Sequence, residues 1–377
     1  MSGYSRLDNS FFGQWWHTID RVTLICTFIL IGFGCILVMA ASPAVALRIG
    51  ASRNLFIFKQ FFFLSIAACI VVLTSTLSRK AVLQLSLWGG LVMLCATATT
   101  LFHGLEIKGA RRWIALPVMS LQPSEFLKPC FAVITGWLLT QRYILRYVPG
   151  MLIALILYGT IAFLLQAQPD IGMLTVITSV LLTQFFVNGL SLTLFSIGCS
   201  IMICAGISTF FIFPHVHSRM ERFLHPHLGD HYQIDTALRA FGNGGFLGRG
   251  PGEGRIKNLL PDAHADFIFS VAGEEYGLIG CGFILVVFLI IILSTLRRII
   301  RNDDPFTIIS TTGLITGFGL QACINMASSL HLIPTKGMTL PFISYGGSSA
   351  ISVALTIGMI LALTRQHLNI RQNNYMP

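Results

Sequence analysis

Charge is scarce in this sequence. Asp, Glu, Lys and Arg together supply 11% of its 377 residues, 54% are hydrophobic, and the mean hydropathy is +0.76. So little charge cannot coat a soluble domain of this size, which excludes an ordinary globular protein and places the chain in a bilayer. Internal repeats and low-complexity tracts are absent. A GxxxxGK[ST] phosphate loop is absent too, so the Gly-rich run FGNGGFLGRGPGEGRIK (Phe241 to Lys257) is no nucleotide site, although its backbone N–H groups could still crowd around an anion or simply make turns. Metal-ligand spacing is lacking among the nine cysteines (Cys26, Cys35, Cys69, Cys95, Cys130, Cys199, Cys204, Cys281 and Cys323), all of which fall in apolar stretches and read as packing residues. The histidines of PHVHSRMERFLHPHLGDH (His215, His217, His225, His227 and His231) have no fixed acidic or Cys partner, so no metal site is assigned.

What is abundant is apolar length. Ten stretches read as membrane-spanning helices: Arg21 to Ala41, Leu55 to Leu77, Val82 to Phe102, Ser124 to Thr140, Val148 to Gln166, Ile171 to Val187, Leu190 to Phe213, Phe267 to Leu296, Phe306 to Leu330 and Gly346 to Leu363. The expected fold class is therefore an all-α polytopic membrane protein with both termini on one side. MAASPAVA after the first stretch mimics a signal-peptide cleavage site, but the apolar run is longer than a signal core of about 7 to 15 residues and reads as a retained helix.

The net charge of +10 divides by side. Arg79, Lys80, Arg142, Arg146, Arg297, Arg298, Arg301, Arg365 and Arg371 sit in short connections on the face that the positive-inside rule makes cytoplasmic. The opposite face breaks that rule with Lys108, Arg111, Arg112, Arg219, Arg222, Arg239, Arg249, Arg255, Lys257 and Lys336. Those cations need a reason. This face also carries the two long loops, residues 103–122 and 214–265, and loops longer than about 12 to 15 residues are commonly functional. Within the second, Ile234, Leu238 and Phe241 recur at helical spacing, which predicts a short helix lying on the membrane interface with Arg239 toward headgroups, or a packed helix without a ligand.

Candidate chemistry gathers on the same face. In GARRWI the forks of Arg111 and Arg112 beside Trp113 suit a phosphate at headgroup level, or a lipid-anchoring loop. QPSEFLK sends Glu125 and Lys128 into a span three residues apart, on one helix face, and QPDIG sets Asp170 at a loop-to-helix junction. These three read as a supporting ion network, with a binding-site floor as the alternative. Asp266 stands where LLPDAHADF passes from loop to helix, which is either a capping position or a site at which one carboxylate suffices. Glycoside hydrolysis uses two carboxylates, but a diphosphate leaves as a stable anion, so one base with several cations would be enough. Glu274 and Glu275 lie about two helical turns away, too far for a close dyad, and are expected to orient the site or hold the helix. HLIPTKGMTLPFISYGGSSA adds Lys336 and an irregular backbone of the kind tolerated where it lines a cavity.

GARRWI with QPSEFLK, QPDIG, AFGNGG, LPDAHADFIF with GEEYG, and PTKGMTLPFISYGGSS, in that order from about Arg21 to Leu363, resemble the SEDS family of polytopic peptidoglycan polymerases. The Lys336-Gly337 pair is similar to the division branch more than to the elongation branch. The resemblance implies one integral-membrane SEDS domain over residues 1–377, with ten spans. Residues 1–20 and 364–377 would be cytoplasmic, and 214–265 an extracytoplasmic loop between the seventh and eighth spans. It implies lipid II polymerisation at the outer face of the bacterial inner membrane, at the division site, by inverting glycosyl transfer. The family's catalytic Asp lies in an HTDF segment, which HADF matches, so that role carries over to Asp266. Ala265 replaces the usual Thr, Asp262 the usual Glu, and Asn243 a frequent Arg of AFGRGG.

On this reading Asp266 takes the proton from the C4 hydroxyl of the acceptor GlcNAc and that oxygen attacks the anomeric carbon of the donor MurNAc. Undecaprenyl diphosphate leaves against Arg111, Arg112, Lys336 or a divalent cation such as Mg or Mn, with Trp113 at the same site. No other cofactor is called for. Implied partners are lipid II, a cognate class B penicillin-binding protein and other divisome membrane proteins, and no nucleic acid. The rival expectations are a lipid II flippase, an elongation-type polymerase, and a scaffold that recruits a transpeptidase.

Overall fold

The computed structural model describes residues 11–50, 52–107, 110–117, 119–141, 146–212, 232–334 and 337–365. The histidine cluster of 215–231, Lys108 and Lys336 lie outside the described residues. A helix occupies each stretch read as a span. After the short α1 (Phe11–Thr18) come α2 (Arg21–Arg48), α3 (Leu55–Ser75), α4 (Arg79–His103), α5 (Pro123–Thr140), α6 (Gly150–Ala167), α7 (Ile171–Val187) and α8 (Leu192–Ile212). Then follow α9 (Tyr232–Gly244), α10 (Ile268–Ile300), α11 (Pro305–Ser329) and α12 (Gly347–Leu363). Six of them, α2, α3, α4, α6, α10 and α11, are long and apolar enough to cross a membrane; α7, α8 and α12 contain shorter apolar helices.

Local chemistry explains several boundaries. Asp20 caps α2 by accepting from Val22 N at 3.1 Å and Thr23 N at 3.3 Å, Ser78 caps α4, and Asp304 caps α11, where Pro305 follows at the first helical position. The guanidinium of Arg298, near the end of α10, donates to Thr18 O at 3.2 Å, Ile19 O at 3.0 Å and Thr364 O at 3.3 Å. The chain therefore enters α2 and leaves α12 at the same end of the bundle.

α12 packs along α3, α4 along α5, and α11 along both α5 and α7. In an apolar solvent such contacts depend on close approach and on polar contacts between helices. Both are present in the middle of the bundle. Gly136 lies against Ser310, so close that a Cβ would meet its backbone. Beside it the buried Gln184 amide donates to Ala132 O at 2.6 Å and Ile309 O at 3.2 Å, while Thr135 Oγ1 donates to Gln184 Oε1 at 2.6 Å.

One helix is broken. Gly277 interrupts α10 with φ 64° and ψ −159°, and the Gly-rich run fills the gap. Arg249 N and Gly250 N donate to the freed carbonyls of Glu274 and Glu275, each at 3.0 Å, and Leu278 N donates to Gly245 O at 3.0 Å. Gly248, at φ +83°, passes so close to Glu275 that a Cβ would collide with its carbonyl, which is why this run needs glycine. Beyond the break, Leu278 to Ile300 is about 35 Å long at 1.5 Å per residue, enough by itself to cross a hydrocarbon core of about 30 Å. The segment before it, Ile268–Tyr276, is left to carry the loop face of the molecule.

The helix expected in the long loop is α9, and it packs as well as facing outward. Its small residues Thr236, Ala237, Ala240 and Gly244 are buried and α9 lies against α10, with Phe241 edge-on to Phe269 at 5.8 Å between ring centres. Leu238 and Arg239 stay exposed on the other face.

Candidate functional site

The first long loop is a three-stranded antiparallel meander, β1 (Leu105–Ile107), β2 (Ala110–Ala115) and β3 (Ser120–Leu121). A strand alternates its side chains between faces, and that splits the two guanidiniums of GARRWI. Arg111 pairs with Glu106 on the neighbouring strand at 3.2 Å, both half exposed. Arg112 points the other way, donating to Gln168 O at 3.0 Å and to Pro169 O, with Asp170 3.6 Å away. The two Arg residues thus do not act as one fork: Arg112 braces the turn between α6 and α7, which Asp170 caps through Met173 N at 3.2 Å. Trp113, on the face opposite to Arg112, reaches a cavity.

That cavity, of about 430 Å³, gathers five segments. Lys59 and Phe63 come from α3; Trp113, Met119 and Ser120 from the meander; Gln122 and Glu125 from the start of α5; Asp266 from the turn before α10; and Gly337, Thr339 and Tyr345 from the approach to α12. Of the residues singled out from sequence, Asp266, Trp113 and Glu125 therefore share one wall-lined space. Arg111, Arg112, Lys128, Asp170, Glu274 and Glu275 do not line it. Gln122 Nε2 connects it to the brace by donating to Asp170 Oδ2 at 3.3 Å.

Asp266 lies one residue ahead of the α10 cap position, which falls on Phe267. Its stretch is held by three successive carbonyls. Tyr345 N donates to His264 O at 2.8 Å, Ser344 Oγ to Ala265 O at 2.6 Å, and Asn325 Nδ2 to Asp266 O at 3.1 Å. The carboxylate faces the KGM loop: a Cβ built on Gly337 would sit 3.6 Å from Asp266 Oδ2. Such anchoring fixes the position of a side chain before any ligand arrives.

Glu125 and Lys128 pair at 2.7 Å, both buried. Lys128 Nζ also donates to Gln321 Oε1 at 2.5 Å, and Gln321 Nε2 donates to Thr339 O at 3.1 Å. The pair thus ties α5 and α11 to the loop carrying Gly337.

Glu274 and Glu275 hold the second loop. The buried Glu274 carboxylate accepts from Asn243 Nδ2 and from Arg255 N, Ile256 N and Lys257 N, all at 2.8 Å. The anion cradled by the Gly-rich run is the protein's own. Glu275 pairs with the buried Lys257 ammonium, and Arg249 donates to Asn243 Oδ1 at 2.8 Å. Lys257, Arg249 and Arg112 thus have internal partners.

His264, two residues before Asp266, is 6% exposed and stacked between Phe56 and Tyr345, with ring centres 4.7 and 5.1 Å away. Burial pushes its imidazole from the usual 6.5 down to about 4, against a weaker opposing pull from Asp262. The folded state thus holds His264 neutral where the unfolded chain would protonate it. Stability is full above about pH 6.5 and falls as pH drops from 6.5 toward 4, by up to about 3 kcal/mol. His264→Phe is expected to flatten this slope in thermal unfolding measured across that window; an unchanged slope rejects the assignment.

Two sets of residues were not singled out from sequence. Lys59 stands one turn into an otherwise apolar helix, and an isolated ionisable residue in a span is itself a pointer to function. Gln321, Asn325 and Ser329 repeat every four residues along α11, a polar stripe on one face that a period count would have found. Among the described residues no three His, Cys, Asp or Glu side chains converge as a metal-binding group.

Residues 20–369 match the FtsW/RodA/SpoVE family model, described as cell cycle protein. A relative from Caulobacter vibrioides, "Probable peptidoglycan glycosyltransferase FtsW", is 40% identical over 96% of this chain and 93% of its own. Proteins of the same description from Hydrogenovibrio crunogenus and Taylorella equigenitalis are 35% and 32% identical over 94% and 86% of this chain, and over 92% and 93% of their own lengths. Among solved structures, a chain of a peptidoglycan synthase complex that coordinates polymerization and crosslinking superposes with a TM-score of 0.76 at 23% identity, covering 93% of this chain and 98% of that one. The rod shape determining protein RodA of Thermus thermophilus gives 0.68 at 23% identity, covering 93% and 97%. At that identity the likeness is one of fold.

Proposed function

Because this chain belongs to the FtsW/RodA/SpoVE family of cell cycle proteins, and its relatives are FtsW-type enzymes, we infer that it is a multi-pass membrane peptidoglycan glycosyltransferase of the division type. The observation that carries the chemistry is one carboxylate, Asp266, anchored on the wall of a cavity that also holds the Lys59 ammonium and the Trp113 indole. All ten apolar helices cross the bacterial inner membrane, residues 1–20 and 364–377 are cytoplasmic, and the loop 214–265 with the cavity mouth faces outward at the division site. Both substrates are lipid II. Their polyprenyl tails stay in the bilayer while their sugars meet at its surface, which is where Asp266 sits.

Asp266 accepts the proton of the acceptor's C4 hydroxyl as that oxygen attacks the anomeric carbon of the donor, with inversion. The departing undecaprenyl diphosphate needs positive charge near the cavity. Lys59 and Lys336 supply it, joined by Arg111, whose exposed pair with Glu106 is worth little and can yield to a phosphate. Arg112 contributes by bracing the meander that carries Trp113. A divalent cation such as Mg or Mn would add charge of the same kind. Glu125, Lys128 and Asp170 support the walls, and Glu274 and Glu275 the outer loop. A class B penicillin-binding protein is the expected partner, in keeping with the synthase-complex chain that shares this fold. Other divisome membrane proteins would bind around it.

The test uses purified full-length protein in liposomes, with and without its cognate transpeptidase, given labelled lipid II and resolved for glycan strands. Polymer from wild type supports the polymerase; transport of lipid II without polymer supports a flippase instead. In the same assay Lys59→Ala is expected to lower kcat/KM about 10- to 100-fold through loss of a charge-assisted contact, and Lys59→Arg to retain most of it. Wild-type activity of Lys59→Ala removes Lys59 from the site.

A further inference from the structure

Asn325 lies in the middle of the polar stripe of α11, and its side chain is fully buried. Its amide Nδ2 donates twice, to Asp266 O at 3.1 Å and to Met338 O at 2.6 Å. These acceptors belong to different loops, the turn before α10 and the KGM loop before α12. The two hydrogens of one planar amide therefore join two loops through their backbones. The amide oxygen Oδ1 makes no hydrogen bond among the described residues, so only the donating half of the group is in use. A side chain chosen for packing alone would not carry an amide here, because a buried polar group without this use is costly.

The geometry has a direct consequence for Asp266. Its carboxylate faces Gly337, the residue before Met338, so the Asn325 amide bonds the backbone on both sides of the space between carboxylate and KGM loop. Ser329 Oγ reaches Asp266 O only at 3.5 Å and donates to Asn325 O at 3.0 Å within its own helix, so it cannot substitute. Ser344 anchors the preceding residue, Ala265, and leaves the Asp266 carbonyl to Asn325.

We propose that Asn325 is a positioning residue for glycosyl transfer, fixing the Asp266 carboxylate against the KGM loop through paired hydrogen bonds to both loop backbones. The proposal rests on the assignment of Asp266 as the base. Displacing a reacting group by about 1 Å costs on the order of 100-fold in rate. Loss of the Asn325 donors should act on kcat and leave lipid II binding intact, since Asn325 does not line the cavity.

The experiment measures kcat and KM for labelled lipid II with the protein and its transpeptidase partner together. The variants are Asn325→Leu, Asn325→Gln, Ser329→Ala, Asp266→Asn, and Asp266→Asn combined with Asn325→Leu. Asn325→Leu is expected to lower kcat about 100-fold with KM changed by less than about threefold, Asn325→Gln to recover at least a tenth of wild-type kcat, and Ser329→Ala to stay near wild type. In the Asp266→Asn background, Asn325→Leu should lower the residual rate no further, because a residue that acts through a carboxylate has nothing left to position. An equal fall in both backgrounds, a loss confined to KM, or a Gln variant no better than Leu overturns the proposal. If Asn325→Leu fails to bind the partner and so is misfolded, the kcat of the Gln variant decides alone. A wild-type protein without polymerase activity, or an active Asp266→Asn, rejects the base assignment instead.

Discussion

Asp266→Asn should all but abolish glycan polymerisation, lowering kcat by about 1,000-fold, while the protein still folds and still binds its transpeptidase. The substitution keeps the size and shape of the side chain and removes only the ability to accept a proton. General base catalysis contributes about 10² to 10⁴ in rate, and among the described residues no second carboxylate is placed to take over. Glu125, the other carboxylate on the cavity, is neutralised by Lys128 at 2.7 Å. The backbone anchors of this stretch, from Tyr345, Ser344 and Asn325, are made to carbonyl groups and survive the change. Asp266→Glu keeps the base but moves it by about one methylene, so it should retain more activity than Asn and still fall about 100-fold below wild type. Product length on gels and partner pull-down, measured on the same preparations, separate chemistry from folding. Full activity of Asp266→Asn would reduce Asp266 to an element of the turn before α10.

Much of this site is legible in the sequence because membrane chains advertise exceptions. The apolar runs locate helices directly, since only helices and closed barrels satisfy backbone groups in hydrocarbon and runs of about 20 apolar residues fit a helix. Against that background Glu125, Lys128, Asp170 and Asp266 stand out as charges beside or within spans, and all four either line the cavity or are bonded to a residue that does. What pattern alone does not convey is where a strand sends consecutive residues. Arg111 and Arg112 look like one fork in sequence, yet alternation along β2 gives them separate partners, Glu106 and the α6–α7 turn. The Gly-rich run looks like a cradle for a ligand's anion, and the anion turned out to be Glu274, eighteen residues beyond Ile256 and on the facing helix. Such pairings depend on the break at Gly277, whose φ of 64° no periodicity announces. The Asn325 amide was hidden for a different reason: its task is to bond backbone, and backbone partners leave no trace in residue types.

Glu274→Gln is expected to lower stability by about 3 kcal/mol, with the unfolding midpoint falling by several degrees and the segment 243–257 becoming the first cleaved in limited proteolysis. The carboxylate satisfies three consecutive backbone N–H groups, from Arg255, Ile256 and Lys257, as well as the Asn243 amide. A neutral amide accepts on one side only and turns an N–H toward Lys257 N or toward the other donors, so a buried donor is left facing a donor. Each such orphan costs about 1 to 3 kcal/mol. Glu274→Ala removes every acceptor at once and should be worse than Gln. The effect on catalysis follows from connectivity, because the same helix segment, Ile268–Tyr276, begins two residues after Asp266 and is held in place at its far end by the loop inserted at Gly277. A loosened loop frees that segment, so kcat should fall together with protease resistance, and conditions that restore resistance should restore rate. Retention of a resistant 243–257 segment in Glu274→Ala would show that α9 packing on α10, and not the carboxylate, holds the loop.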